Sequence, residues 1–85
     1  MISKLNRTHK ATIKAISAHL GRSIRDERER RGMLQKDACA LLEVSLPTYR
    51  SLEAGQPTVS LGLLISALVV FEISDALLDV QAKAE

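Results

Sequence analysis

The sequence predicts an all-α domain of five helices, and three observations lead there. Leu, Ile and Val supply 24 of the 85 residues and Ala another 10, whereas Gly and Pro together number 6. That aliphatic content suffices to offset chain entropy, with too few turn residues for a sandwich or barrel. Apolar residues recur at steps of three and four, the period of an amphipathic helix. Gly32, Ser45, Gly55, Ser60 and Ser74 fall between the periodic runs, where caps belong. A chain this short holds one domain, near the lower bound for a self-sufficient core.

The first helix is read from the stripe Leu5, His9, Ile13, Ile16, Leu20, Ile24. Arg30-Arg31-Gly32 ends it, placing cations at the C-terminal dipole and then a glycine suited to a left-handed cap. Residues 1–6 are expected to fray, and the segment from Thr8 to Ser17 either continues the helix or breaks near Gly21. Gln35 to Leu42 forms a second helix of about two turns. Glu43-Val44-Ser45 interrupts it, and Ser45 caps a third helix, Leu46 to Glu53, which tolerates Pro47 in its first turn. Gly55 closes that helix and Pro57 prevents its continuation.

Ser60 caps a fourth helix, Leu61 to Phe71, expected to bury Leu61, Leu64, Ile65 and Leu68. Its other apolar residues go nearly all the way round. Ser74 caps a fifth helix, Asp75 to about Ala82. The surplus apolar residues Val69, Val70, Ile73, Leu77, Leu78 and Val80 are expected to form a homodimer surface. Completion of the core by several of them is the alternative.

Several classes are excluded. One cysteine makes no intrachain disulfide, and the N-terminus leads into no apolar signal-peptide region. The longest apolar stretch, Leu61 to Phe71, falls well short of the ~20 residues that span a bilayer. A cytoplasmic protein is expected, with no membrane partner. His9 and His19 lack ligand spacing, Gly21, Gly32, Gly55 and Gly62 form no phosphate loop, and Cys39 reads as a small core residue. Catalysis, metal, cofactor and small-molecule substrate are therefore not expected.

Charge is unevenly spread. Residues 1–36 hold ten Lys/Arg against three acids, and residues 37–85 hold two against seven. The asymmetry points to nucleic acid or another polyanion, with a solvated helix face as the equal alternative. The chain is expected to consist of a basic arm, residues 1–18 with Lys4, Arg7, Lys10 and Lys14, and a domain over residues 19–82. The arm either neutralises phosphates beside the third helix or merely solubilises.

Two short helices joined by a tight turn, with a small residue where they cross, make a helix-turn-helix. Cys39 is read as that small residue, Val44 as the plug of the turn, and Tyr49 and Leu52 as the rear anchors of the third helix. Leu46, Pro47, Thr48, Arg50 and Ser51 are then left outward.

Leu20-Gly21-Arg22-Ser23-Ile24-Arg25, Arg28, Arg31-Gly32, Gln35, Val44-Ser45, Leu52-Glu53-Ala54-Gly55 and Val59-Ser60-Leu61 together resemble the phage-repressor-like (Xre-type) DNA-binding family, over residues 19–73. The run from Glu53 to Leu61 further resembles the HipB-type antitoxin branch. The resemblance implies a five-helix domain that binds a double-stranded operator as a dimer and pairs with a HipA-type kinase toxin. Gln35 would then touch a phosphate and brace the third helix, with Lys36 and Ser45 on the same side. Leu46, Pro47, Thr48, Arg50 and Ser51 would face the major groove, and Arg28 and Glu53 would form a partly buried ion pair that reads nothing. The implied function is a sequence-specific regulator, a type II antitoxin repressing its own operon. Two alternatives stand beside it: a protein-interaction module with a degenerate helix-turn-helix, and a restriction-system controller.

Three positions depart from the family pattern. Leu34 replaces a capping Ser or Thr, with Asp37 able to compensate through the helix dipole. Glu43 replaces the turn glycine, costing about 1 kcal/mol or more if that residue is left-handed. Glu27 stands where an apolar residue is usual.

Overall fold

A computed structural model describes residues 7–73. Four helices and no strand occur among them: α1 (Arg7–Arg30), α2 (Gln35–Leu42), α3 (Leu46–Glu53) and α4 (Leu61–Val70). The fifth helix expected from Asp75, its Ser74 cap, Leu77, Leu78, Val80 and the expected fraying of residues 1–6 lie outside the described residues.

Helix α1 is unbroken through Gly21, so residues 7–18 of the expected arm continue directly into the helix that follows, 24 residues and about 36 Å long in all. Its second half carries the contacts. Gly21, Ile24 and Arg28 are buried, one turn apart on one face, while His9 and Ile16 of the expected stripe lie exposed and Ile13 and Leu20 are half-buried. Leu5 falls outside the described residues. Of the described stripe, only Ile24 is therefore fully buried, with Ile13 and Leu20 at the edge of the packed surface.

The core consists of Ile24, Ala38, Tyr49, Leu52, Leu63, Ala67, Leu68 and Phe71, flanked by Met33, Cys39, Leu42, Val44, Val59, Leu64 and Ile73. Helix α3 packs on α1 and α2, and α2 also touches α4. Two expectations need correction. The wholly buried small residue of α2 is Ala38, and Cys39, one step of about 100° further round the helix, is only half-buried. In α4 the buried residues are Leu63, Ala67 and Leu68, whereas Leu61 and Ile65 are 70% and 47% exposed. An apolar helix offers two nearly equivalent faces to a periodicity argument, and Phe71 decides between them. Its ring, 1% exposed at the C-cap, pulls the Leu63–Ala67–Phe71 face inward.

The caps follow from local chemistry. Ser45 Oγ accepts from Thr48 N–H and Ser60 Oγ from Leu63 N–H. Leu34 has no side-chain acceptor, but the Asp37 carboxylate turns back to accept from Leu34 N–H at 2.8 Å. That supplies half of a capping box. Gly32 and Gly55 adopt positive φ at the ends of α1 and α3.

Candidate nucleic-acid interface

The α2–α3 pair is joined by Glu43, Val44 and Ser45. Glu43 takes a left-handed conformation, φ 55° and ψ 46°, which turns the chain sharply enough to set α3 across α2. A β-carbon in that region costs roughly 1–2 kcal/mol. Replacing Glu43 with glycine relieves that strain but adds unfolded-state freedom, a partial offset. Glu43→Gly is expected to stabilise the domain by about 0.5–1 kcal/mol, seen as a higher urea midpoint at unchanged slope.

Tyr49 and Leu52 face inward, 0% and 3% exposed. The helical period then leaves Pro47, Thr48 and Arg50 exposed, with Leu46 and Ser51 half-buried at the edges of the outward face. Lys36 and Ser45 are exposed and Gln35 half-buried at the adjoining starts of α2 and α3. Most hydroxyls of this face are engaged locally. Ser45 Oγ donates to Thr48 Oγ1 at 2.9 Å, and Ser51 Oγ donates to the Pro47 carbonyl at 3.1 Å.

Behind the face runs a chain of charged and polar groups. Arg28 Nε and Nη2 donate to the two oxygens of Glu53 at 2.6 and 3.2 Å, a bidentate pair with both residues 8% exposed. Arg28 Nη1 donates to the Met33 carbonyl at 2.7 Å, tying the α1–α2 turn into the same cluster. Glu53 Oε1 also accepts from Gln35 Nε2 at 3.1 Å, and Gln35 Oε1 accepts from Arg50 Nε at 3.3 Å. Burial would raise the Glu53 carboxyl, but Arg28, assisted by the Tyr49 hydroxyl and the Gln35 amide, holds it below its ordinary 4.5. Burial and then the neighbouring carboxylate push the Tyr49 hydroxyl up, and among the described residues it meets no partner at full hydrogen-bond geometry.

Two backbone approaches seat α3 against α1. A β-carbon at Gly21 would lie 2.5 Å from the Glu53 carbonyl oxygen, and one at Gly55 would lie 2.6 Å from Ala18 Cα. The expectation that these glycines form no phosphate loop leaves this packing role unstated. The available signal was a glycine inside an otherwise unbroken helical pattern, which asks for a packing reason.

Arg31 is a second tie that spacing did not reveal. Its Nη2 donates to the Phe71 carbonyl at 3.1 Å, its Nη1 reaches the Val70 carbonyl, and its guanidinium lies 5.5 Å from the centre of the Phe71 ring. Glu27, the acid at an apolar position, is held between Arg30 and Arg31. Hydrogen bonds from Arg30 and Arg31 lower its carboxyl from the ordinary value. The polar substitution thus orients Arg31 onto the C-terminus of α4.

Of the residues expected at a dimer surface, Val69 is 59% exposed, Val70 is half-buried, and Ile73 packs on the core; Leu77, Leu78 and Val80 lie outside the described residues. No helix among the described residues is long and apolar enough to cross a membrane. No curated protein and no solved structure matches the chain. A family model for a helix-turn-helix domain matches residues 19–81, which takes in the tight Glu43–Ser45 turn, the outward face of α3 and the ties behind it. The chain belongs to the helix-turn-helix domain family.

Proposed function

We propose that this protein is a sequence-specific DNA-binding regulator acting as a dimer on an inverted repeat. The observation that carries this is the outward face of α3. It presents Arg50 beside Gln35, with Lys36 exposed in the first turn of α2, and it is braced from behind by a buried ion pair. A second helix lying in the major groove, held by the first, is how this motif reads base edges. Under this reading Gln35, Lys36 and Ser45 flank the backbone while Leu46, Pro47, Thr48, Arg50 and Ser51 enter the groove. One such domain reads few base pairs, so two copies on half-sites about one helical turn apart supply the specificity. The arm and domain division, residues 1–18 and 19–82, belongs to the same proposal. Arg7, Lys10 and Lys14 lie fourteen or more residues before Arg28 along one helix, about 21 Å or more from Arg28 itself. The end of the arm, at Ser17 and Ala18, meets Gly55 just past the close of α3.

Selection of bound duplexes from a random pool, followed by anisotropy across a salt series, tests the reading. Recovery of an inverted repeat supports it, and the salt slope counts the phosphates neutralised. Weak, salt-sensitive binding without a motif overturns it.

The dimer surface is proposed on the exposed side of α4 at Val69, continued by Val70 and Ile73 and by Leu77, Leu78 and Val80. The stripe Leu61, Ile65 and Val69 is 70%, 47% and 59% exposed, an apolar row at four-residue spacing. Val69→Asp is expected to convert a dimer to a monomer by light scattering at micromolar concentration with helicity retained. An unchanged mass would remove this interface.

The finer assignment, a type II antitoxin that represses its own operon and binds a HipA-type kinase toxin, rests on the resemblance of the Glu53–Leu61 run. Co-purification of the pair after co-expression tests it. A protein-interaction module without DNA reading is favoured by one observation, the exposed carboxylate of Glu43 beside the apolar Leu46-Pro47 tip. A restriction-system controller would share the DNA reading and differ in its operon.

A further inference from the structure

We infer that Arg50 reads a guanine in each half-site, and that Glu53, acting through Gln35, positions it to do so; this rests on the DNA-binding reading above. The argument begins with which donors are left. On the outward face of α3 the Ser51 hydroxyl is spent on the Pro47 carbonyl, and Thr48 Oγ1, which accepts from Ser45 Oγ, has a single O–H to donate. Arg50 keeps its whole terminal fork, because only its Nε is engaged, with Gln35 Oε1 at 3.3 Å. Two parallel N–H donors match the O6 and N7 acceptors that guanine alone presents side by side in the major groove.

The second step is the orientation of the Gln35 amide. Its Nε2 donates to Glu53 Oε1 at 3.1 Å, leaving its Oε1 toward Arg50. The reverse orientation would set a carbonyl against a carboxylate and an amide N–H against a guanidinium, so the charge of Glu53 fixes which end Arg50 meets. Glu53 is itself held by Arg28 at 2.6 Å and cannot swing to take Arg50 directly. The ion pair is therefore not silent in recognition. It sets the donor and acceptor sense of the group that holds the reader. An arginine ordered before DNA arrives loses less side-chain freedom on docking, which favours a fixed base edge over a phosphate that a loose side chain would also reach.

The experiment compares duplex selection by the wild type, Arg50→Gln and Gln35→Ala. The wild-type motif is expected to hold an invariant guanine at one position of each half-site. Arg50→Gln is expected to move that position from guanine to adenine, whose N6 and N7 suit an amide, and to cut the preference for guanine about 10- to 100-fold. Gln35→Ala is expected to blur the same position more than any other in the half-site, with the salt slope kept because no cation is removed. A uniform fall in affinity with every base preference intact in either variant would make Arg50 a phosphate contact and overturn the inference, while DNA reading stood. A wild type that selects no motif would overturn both.

Discussion

Gly21→Ala should destabilise the domain by about 3 kcal/mol, a fall in Tm of roughly 15 °C for a domain this size. Two effects oppose each other. Alanine in a helix interior gains about 1 kcal/mol over glycine. Here, however, the added carbon would sit 2.5 Å from the Glu53 carbonyl oxygen and 2.8 Å from Gly55 N, and both are backbone atoms that no side-chain rotation can clear. Helix α1 must lift off the end of α3, loosening the Arg28–Glu53 pair and part of the core with it. Gly62→Ala is the control, since nothing lies within 4 Å of a β-carbon there. It should stabilise by about 0.5 kcal/mol. Thermal unfolding followed by circular dichroism measures both, and a Gly21→Ala variant as stable as the wild type would show that the two helices do not approach as described.

Glu53→Ala should cost about 3–5 kcal/mol, because it strands the Arg28 guanidinium in a buried site. Arg28→Ala should cost a similar amount by stranding the carboxylate. Replacing both with apolar residues should cost much less than the two single losses combined, since neither charge is then left unpaired. Urea denaturation of the two singles and the double variant closes the cycle. A pH series adds a signature. The Glu53 carboxyl is held below 4.5 in the fold by groups that outweigh its burial. The folded state thus releases that proton more readily than the unfolded chain. The associated stability is fully present above about pH 4.5 and is lost as the pH falls through the lower folded value. Glu53→Gln should flatten that acid limb.

How much of this was legible in the chain depends on the kind of signal. The ends of α2 and α3 could be read because they rest on local chemistry: Ser45 must cap, Pro47 fits a first turn, and Gly55 takes a positive φ of 71°. Tyr49 and Leu52 were legible as inward residues, since the polar run around them allows one apolar face. The face of α4 was not. Its run from Leu61 to Val70 is apolar in nearly every direction, so the choice was made by tertiary packing, chiefly Phe71 in the core and under Arg31. Ala38 rather than Cys39 was lost for a similar reason, as adjacent small residues look alike until a partner helix is placed. The relay through Gln35 could not be read at all. It depends on side chains 18 and 15 residues apart meeting at hydrogen-bond distance.

Gly21 and Gly62 make the point most sharply. Both are single glycines within helices, yet one sits under a carbonyl and the other faces open space.

Helix α1 is continuous in its hydrogen bonds but need not be continuous in its stability. From Ser17 onward it is fastened by Gly21, Ile24, Arg28 and Arg31 to three other segments. The residues before Ser17 are mostly exposed, and an isolated helix shorter than about 12 residues barely holds in water. Solvent deuterium would therefore meet two objects in one cylinder, an early-exchanging stem and a late-exchanging stock, with the boundary close to residue 17. A partner that gripped the stem would slow its exchange, so the protection of this part of the helix would register occupancy of a surface about 18 Å or more from Arg28.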